Sequence, residues 1–329
     1  MARKESDNQT VVTEFLLLGF KTRPELQIVL FVVFSTIYMA TVFGNILIAA
    51  VVLTNHNLHK PMYFFLGNLS VSEICYSSVI LPRTLVSFVR DYHGISFSGC
   101  FLQFYFFGSF ACFECYLLST MSFDRYLAIC KPLSYVTIMN HRLCVQLSLV
   151  SWMIGFLASA FTTFLASHLT FCGPNEMDHF FCDYSPLLNL ACSNTHQAET
   201  LMSVLGSVCT MPALLTTLAS YVCIMRTILR IPSITGRRKA FSTCSSHLIV
   251  VTIFYGTLII VYILPKGRRL NNLNKVFSIF YTVLPPMINP FIYSLRNREF
   301  QEALRKGTRK LASLRIFQEV QPKKNVLRL

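Results

Sequence analysis

CFLQFYFFGSFACFECYLLSTMSFDRYLAIC, residues 100–130, is a long apolar stretch that ends near the adjacent charged pair Asp124 and Arg125. An α-helix rises about 1.5 Å per residue, so the part from Cys100 to Met121 is long enough to cross the hydrocarbon core of a membrane. The pattern predicts a transmembrane helix with an acid and a base at one membrane face. Ionisable groups in that position are costly unless they are paired or hydrated, and they favour a switch or a pathway. An ion pair that only anchors the helix end is the alternative.

The composition indicates that lipid surrounds most of the chain. Hydrophobic residues make up 53% and charged residues 13% of the sequence, and the mean hydropathy is +0.51, whereas about 25% of an ordinary soluble domain is charged. Seven apolar runs, joined by mostly short segments, are Leu26–Leu53, Met62–Phe88, Cys100–Met121, Leu143–Ala166, Leu201–Met225, His247–Leu264 and Val276–Leu295. We predict an all-α membrane protein, a seven-transmembrane helix bundle over residues 26–295. Residues 1–25 would form an extracellular N-terminal tail and residues 296–329 a cytoplasmic basic tail.

The basic residues indicate how the bundle is inserted. With an extracellular N-terminus, 19 of the 29 Lys and Arg residues lie on the cytoplasmic side, as the positive-inside rule requires. Lys266, Arg268 and Arg269 oppose this trend. We expect a multi-pass protein of the plasma membrane, whose net charge of +14 favours anionic membrane lipid as a partner. Nucleic acid is a poor alternative, because no soluble basic domain is present to bind it.

Two features are predicted in the chain ends. Asn8 begins an Asn-Gln-Thr sequon on the extracellular tail, and we expect it to carry a glycan. After the last span, Phe300, Leu304, Leu311 and Leu314 stand among Lys and Arg residues. This pattern predicts a short amphipathic helix that lies on the inner leaflet.

The positions of the cysteines predict disulfides on the outer side. Of twelve cysteines, eight lie within or near the spans, where a buried thiol usually serves as a small apolar side chain. Cys100, Cys172, Cys182 and Cys192 face the oxidising exterior, which suggests two disulfides. Three pairings are possible, and the residues alone do not choose among them.

Four motifs now carry a family resemblance. LHKPMYFFLGNLS (58–70), MSFDRYLAICKPLSY (121–135), KAFSTCSSH (239–247) and PPMINPFIYSLRN (285–297) resemble, in this order, the vertebrate odorant receptors, a branch of the rhodopsin-like G-protein-coupled receptors. HFFCDYSPLLNLAC (179–192) resembles the tetrapod-type class of these receptors. In that class the four outer cysteines form two disulfides, here Cys100–Cys182 and Cys172–Cys192.

The resemblance implies an activation switch at the cytoplasmic face. Asp124 holds Arg125 at rest, and Arg125 turns toward Tyr221 and Tyr293 when the inner ends of the fifth and sixth spans separate. The opened cleft receives the C-terminal helix of a G-protein α subunit, provided that ligand favours the open state. The residues expected to take part are Asp124, Arg125, Tyr126, Tyr221, Lys239, His247, Asn289, Pro290 and Tyr293. Solvated charge explains Lys239 equally well.

Polar residues inside the bundle form a second predicted site. Asn45, Glu73, Glu114 and Asn289 need partners in an interior of low dielectric constant, so we expect them to converge. Two carboxylates repel each other unless a proton or a cation lies between them. The resemblance suggests a sodium ion or a proton there, although Glu73 stands where Asp is more usual. A protonated Glu that bonds between helices is the alternative.

We expect a ligand pocket in the outer half of the bundle, between the third, fifth, sixth and seventh spans. Helical spacing puts mostly apolar side chains on the faces that would line it, namely Phe107, Gly108, Ala111, Cys112, Met202, Leu205, Gly206, Cys209, Tyr255, Leu258, Ile259, Tyr262 and Ile279. Plain helix packing is the alternative for each single residue. Related amine receptors carry an Asp at the Phe107 position and opsins a retinal-linked Lys at the Val283 position, which disfavours amines and retinal as ligands.

The predicted function is that of an odorant receptor that binds small, mostly neutral volatile molecules. It would activate a stimulatory, olfactory-type heterotrimeric G protein and raise cyclic AMP. We expect no enzyme activity, since no Ser or Cys with a positioned base stands out. We expect no metal site, because Cys182 near His179 is predicted to be disulfide-bonded and so cannot be a thiolate ligand. The alternative is a channel or transporter whose ion path uses Glu73 and Glu114.

Overall fold

The computed structural model describes residues 12–20, 23–90, 93–171, 175–192, 195–262, 271–296 and 299–306. Most of these residues are helical. In chain order the helices are α1 (Pro24–Thr54), α2 (Pro61–Val89), α3 (Phe97–Cys130), α4 (Pro132–Ile138), α5 (His141–Ser167), α6 (Tyr184–Leu190), α7 (Thr195–Arg230), α8 (Ile234–Tyr262), α9 (Asn271–Thr282) and α10 (Leu284–Arg296). A 3-10 turn at His56–Leu58 and a helical segment at residues 299–306 complete the described helical structure.

Five helices in the described part are long and apolar enough to cross a membrane: α1, α2, α3, α5 and α7. A sixth, α8, passes the same test as a bent pair, Ile234–Ser242 with Cys244–Ile259, which meet at 46°. The seventh predicted span is divided into α9, of 12 residues, and α10, of 13 residues, with a turn at Val283. Pro285 and Pro286 explain the division, since they lack the N–H groups that would continue the helical hydrogen bonds.

The ends of the helices follow from local sequence. Prolines begin α1, α2 and α4, where a missing N–H leaves no helical hydrogen bond unmade. Ser96 caps α3 by accepting a hydrogen bond from the backbone N–H of Gly99, at 3.1 Å. α3 continues to Cys130, beyond the predicted span, and therefore includes Asp124 and Arg125.

The central helix is α3, which packs against α2, α5, α7 and α8. Its contact with α5 is close: a Cβ atom at Gly155 would lie 2.5 Å from the backbone oxygen of Ser109, so glycine is needed there. Beside this contact the ring of Phe113 stacks on Trp152, with 3.9 Å between ring centroids. On the outer surface of the bundle large apolar side chains remain exposed, for example Phe43 of α1 at 69%. Such a surface suits lipid as its neighbour.

A small three-stranded sheet was not predicted. Its central strand is β1 (Glu14–Leu17), which runs antiparallel to β2 (Gly94–Ser96) and parallel to β3 (Glu176–Met177). Phe15 of β1 is completely buried. The predicted tail, residues 1–25, therefore contains a folded strand, and four residues are too few for sequence periodicity to reveal it.

Candidate functional site

One end of the bundle holds the ion pair of Asp124 and Arg125, and we call it the Arg125 end. Asp124 is fully buried, and its Oδ2 accepts hydrogen bonds from Nη2 (2.6 Å) and Nε (3.0 Å) of Arg125. The other carboxylate oxygen accepts a hydrogen bond from the hydroxyl of Tyr135, on α4, at 2.8 Å. Partial burial and the charge of Asp124 raise the pKa of Tyr135 above its ordinary value, so the hydroxyl keeps its proton. Both oxygens of Asp124 are therefore engaged.

Tyr221 and His247 join α7 to α8 at the same end. The Tyr221 hydroxyl lies 2.6 Å from Nδ1 of His247, and both side chains are buried. The Nε2 atom of His247 and the hydroxyl of Tyr293 have no hydrogen-bond partner among the described residues. Arg125 is near enough to interact electrostatically with Tyr221, His247 and Tyr293. The sequence-predicted switch residues are thus neighbours, with Arg125 bound to Asp124 and Tyr221 bound to His247.

Two further predicted switch residues lie on α3 and α8. Tyr126 is half-buried and packs against the cluster that contains Tyr221. Lys239 belongs to α8, but its side chain lies outside the described residues.

The predicted polar network lies farther inside the bundle. Asn289 donates a hydrogen bond to Oε1 of Glu73, and Asn45 donates to the backbone oxygen of Pro286 at 3.2 Å. Ser72 donates to Glu114 at 3.4 Å, and the two buried glutamates are close enough for their charges to interact. The network therefore joins helices α1, α2, α3 and α10.

Two acceptor atoms of this network lack a donor. Oε2 of Glu73 and Oδ1 of Asn45 are buried and have no hydrogen-bond partner in the described part of the chain. Pro290 closes the network against α1, since a Cβ atom on Gly44 would lie 2.9 Å from its ring. Orphaned oxygens beside a carboxylate fit a proton or a sodium ion better than a transition metal. Within the described residues, no group of three or more His, Cys, Asp or Glu side chains could hold a metal ion.

The opposite end of the bundle carries the disulfide Cys100–Cys182; we call it the disulfide end. This bond confirms one of the two implied pairings. Cys192 is also disulfide-bonded, whereas its predicted partner Cys172 lies outside the described residues. The sequon residue Asn8 lies outside them as well.

The loop before Cys182 enters the bundle at the disulfide end. His179, Phe180 and Phe181 are buried, and Nε2 of His179 lies 3.1 Å from the hydroxyl of Ser278 on α9. Burial lowers the pKa of His179, so its ring stays neutral. Lys275, one turn earlier on α9, contacts Asp178 of the same loop at 2.5 Å. The loop is therefore fixed to α9 as well as to α3.

Three of the predicted ligand-binding residues, Phe107, Ala111 and Ile279, pack in one cluster with Phe180 and Phe181 of this loop. Phe107 is buried, with its ring centroid 5.0 Å from that of Phe181 and 5.4 Å from that of Tyr76. Tyr255 is also buried, and its hydroxyl donates to the backbone oxygen of Cys115 at 2.8 Å, which joins α8 to α3. The remaining members of the predicted set that are at least half-buried are Ala111, Cys112, Met202, Leu205, Cys209, Leu258 and Ile279.

Other residues of the predicted ligand set point elsewhere. A Cβ atom on Gly108 would lie 2.6 Å from Oγ of Ser159, so Gly108 faces α5 instead of the expected pocket. Ile259 is 40% exposed, and Gly206 is exposed on α7. The predicted face of each helix was too broad, because residues only one position apart lie about 100° apart around the helix. The side chain of Tyr262 lies outside the described residues.

Sequence reasoning missed several residues at the Arg125 end. Tyr135 donates a hydrogen bond to Asp124, a contact that the motif at 121–135 does not predict although it contains both residues. On the same short helix, Leu133 is 97% and Val136 80% exposed. Their sequence position next to the predicted switch is the signal that could have identified these apolar residues. An exposed apolar face beside the switch suits a protein partner.

Comparisons with known proteins identify the family. The family model described as olfactory receptor matches residues 34–310. The chain is 50% identical to olfactory receptor 6B1 of Homo sapiens over 302 residues. This alignment covers 92% of this chain and 96% of the relative. It is 47% identical to olfactory receptor 8U3 of Mus musculus over 91% of this chain and 94% of the relative. The chain therefore belongs to the olfactory receptor family of seven-transmembrane G-protein-coupled receptors, which bind odorants, couple to G proteins and are not enzymes.

Proposed function

We propose that this receptor binds small, mostly neutral volatile molecules and activates a stimulatory, olfactory-type G protein that raises cyclic AMP. The N-terminus and the disulfide end face the outside of the plasma membrane, and the Arg125 end faces the cytoplasm. The observation that carries this proposal is the closed arrangement at the Arg125 end, in which Arg125 is paired with Asp124 and Tyr221 with His247.

Activation rearranges these two contacts. When the Arg125 end of α8 moves away from α7, Tyr221 loses His247, and Arg125 leaves Asp124 to meet Tyr221 and Tyr293. The hydroxyl of Tyr293 has no hydrogen-bond partner in the described part of the chain, which supports this step, because a buried hydroxyl gains stability from a donor that reaches it. A ligand drives the change only by binding the open arrangement more tightly than the closed one.

The opened Arg125 end provides a surface for the G protein. The C-terminal helix of the α subunit enters between α3, α7 and α8, where the buried side chain of His247 lies on α8. Leu133 and Val136 on α4 extend this surface with exposed apolar side chains. In the segment 299–306, Phe300 is buried while Arg305 and Lys306 are exposed, an arrangement suited to contact with anionic lipid.

The surroundings of Phe107 support neutral odorants as the ligand class. Its neighbours are the aromatic rings of Tyr76, Phe181 and Tyr281, and such walls bind apolar molecules with few polar groups. At the polar network, a sodium ion or a proton balances Glu73 and Glu114, whose charges would otherwise repel each other in the interior. We propose this role for Glu73 and Glu114 instead of the alternative, in which they form the ion path of a channel or transporter.

A cyclic AMP reporter assay tests the proposal. Cells that express the receptor are exposed to panels of neutral, amine and acidic volatile molecules, and the response is normalised to receptor at the surface. We expect responses to neutral members, abolished by Arg125→Ala and retained by Arg142→Ala, whose exposed side chain lies on α5. Responses that survive Arg125→Ala, or responses to the amine panel alone, would overturn the proposal.

A further inference from the structure

The seventh predicted span lacks several of its backbone hydrogen-bond donors. In a continuous helix the N–H of residue 285 would bond to the carbonyl of Tyr281, and the N–H of residue 290 to the carbonyl of Pro286. Both donor positions are prolines, which have no N–H. A buried carbonyl without a donor is destabilising, so these two carbonyls need donors from outside the helix.

Side chains from two neighbouring helices supply these donors. The hydroxyl of Tyr76 on α2 donates to the carbonyl of Tyr281 at 3.3 Å. The amide of Asn45 on α1 donates to the carbonyl of Pro286 at 3.2 Å. Tyr76 is only 2% exposed, so water does not readily replace its hydroxyl. Backbone hydrogen bonds from Val283 to Ile279 and from Met287 to Val283 remain at the turn between α9 and α10, and the two side chains add the donors that Pro285 and Pro290 lack.

Tyr76 also contacts the candidate ligand site. Its ring centroid lies 5.4 Å from that of Phe107, and the ring of Phe107 lies 6.0 Å from that of Tyr281. The hydroxyl of Tyr281 is fixed by Asp183, to which it donates at 3.0 Å. One side chain thus contacts both an aromatic wall of the candidate pocket and the carbonyl beside the break in the seventh span.

We propose that Tyr76 is a positioning residue that couples the ligand pocket to the turn between α9 and α10. Ligand that displaces the ring of Phe107 displaces the ring of Tyr76, and the hydroxyl then leaves the carbonyl of Tyr281. Loss of this bond frees α10, which carries Asn289 and Tyr293, to move relative to α9. This inference rests on the proposed function, and it assigns the bond to the resting arrangement in which Arg125 is paired with Asp124.

The substitution Tyr76→Phe tests the coupling, because it removes the hydroxyl and keeps the ring. At 3.3 Å the bond is longer than the usual hydroxyl–carbonyl distance of about 2.8 Å, so its effect should be at the lower end for a hydrogen bond. We expect a twofold to threefold rise, roughly, in ligand-independent cyclic AMP and an equal fold decrease in the half-maximal agonist concentration. Tyr38→Phe is the matched control, since the ring of Tyr38 packs in the cluster that contains Val283, while its hydroxyl bonds to Ser78 on α2 and not to the seventh span.

A double-substitution cycle separates this coupling from general packing. Pro285→Ala returns a backbone N–H at the position that would donate to the carbonyl of Tyr281 in a helix, so we expect the Tyr76 hydroxyl to become redundant. Tyr76→Phe should then leave basal activity and agonist potency unchanged in the Pro285→Ala background. Equal effects of Tyr76→Phe in both backgrounds, or equal effects of Tyr76→Phe and Tyr38→Phe, would overturn the inference.

A measurement without G protein distinguishes the two possible failures. The melting temperature of the purified receptor should fall with Tyr76→Phe in the native background and stay constant in the Pro285→Ala background. If the melting temperatures are non-additive but the receptor never signals, the proposed function fails, and the coupling fails with it. A signalling receptor with an additive cycle means that the proposed function stands and the role of Tyr76 is wrong.

Discussion

The substitution Tyr135→Phe removes one of the two groups that hold Asp124. The Tyr135 hydroxyl donates to Oδ1 of this carboxylate at 2.8 Å, while Arg125 occupies Oδ2. If the closed Arg125 end is the resting arrangement, this hydroxyl stabilises it. We therefore expect Tyr135→Phe to raise the signalling of the receptor in the absence of ligand.

The structure sets the size of the expected effect. A hydrogen bond to a charged group contributes about 1.5–3 kcal/mol when it is protected from water. Asp124 is fully buried but Tyr135 is partly exposed, so water replaces part of the lost bond, and about 1 kcal/mol remains. This free energy corresponds to roughly a fivefold shift from the resting toward the active arrangement.

The assay is cyclic AMP in unstimulated cells, normalised to receptor at the surface. Tyr38→Phe again controls for loss of a tyrosine hydroxyl, and Asp124→Asn provides a background in which the charge of the acceptor is gone. In that background Tyr135→Phe should add little to the basal signal. Basal activity that is unchanged or lower in Tyr135→Phe, or raised equally by Tyr38→Phe, would refute the reasoning.

Two further predictions concern stability. Gly155→Ala should lower the stability of the purified receptor by about 1–3 kcal/mol, because the new methyl group would lie 2.5 Å from the backbone oxygen of Ser109. The control Gly206→Ala places its methyl group more than 4 Å from any described atom beyond its own stretch of helix and should leave the melting temperature the same or slightly higher. A lower melting temperature for Gly206→Ala than for Gly155→Ala would contradict the close packing of α3 on α5. Stability should also fall as the pH drops below 6.5, because burial lowers the pKa of His179 from that ordinary value, so the unfolded chain binds a proton that the folded chain does not. The charged groups that act on His179 are Asp183, Asp178 and Lys275. Between pH 7.5 and 5.5 the melting temperature should decrease less for His179→Gln than for the native receptor. Equal decreases would contradict this role.

Several features of the fold were predictable because they depend on composition over many residues. Apolar runs identified the spans, and the position of Asp124 and Arg125 identified one end of α3. The apolar run predicts the seventh span as one helix, and its division beside Pro285 and Pro286 is seen only in the structure. A proline can bend a helix or end it, and the donor that Tyr76 supplies beside the division comes from another helix, so local sequence does not reveal it.

The candidate site was only partly predictable for the same reason. Spacing along a helix gives the face on which a residue lies, but not which neighbour that face meets. Gly108 was therefore assigned to the pocket, whereas it faces Ser159 on α5. The bond between Tyr135 and Asp124 joins two helices across a turn, and the strand at residues 14–17 depends on partners far along the chain. Such tertiary contacts override local pattern.

The central claim is that a ligand captured at the disulfide end opens the Arg125 end to a G protein. The most direct measurement is the rate of nucleotide exchange on a purified stimulatory α subunit, with the purified receptor in lipid nanodiscs, with and without a volatile agonist. We predict that agonist accelerates exchange with the native receptor and leaves it unchanged with Arg125→Ala. Exchange that no agonist accelerates, or that Arg125→Ala supports equally well, would contradict the claim.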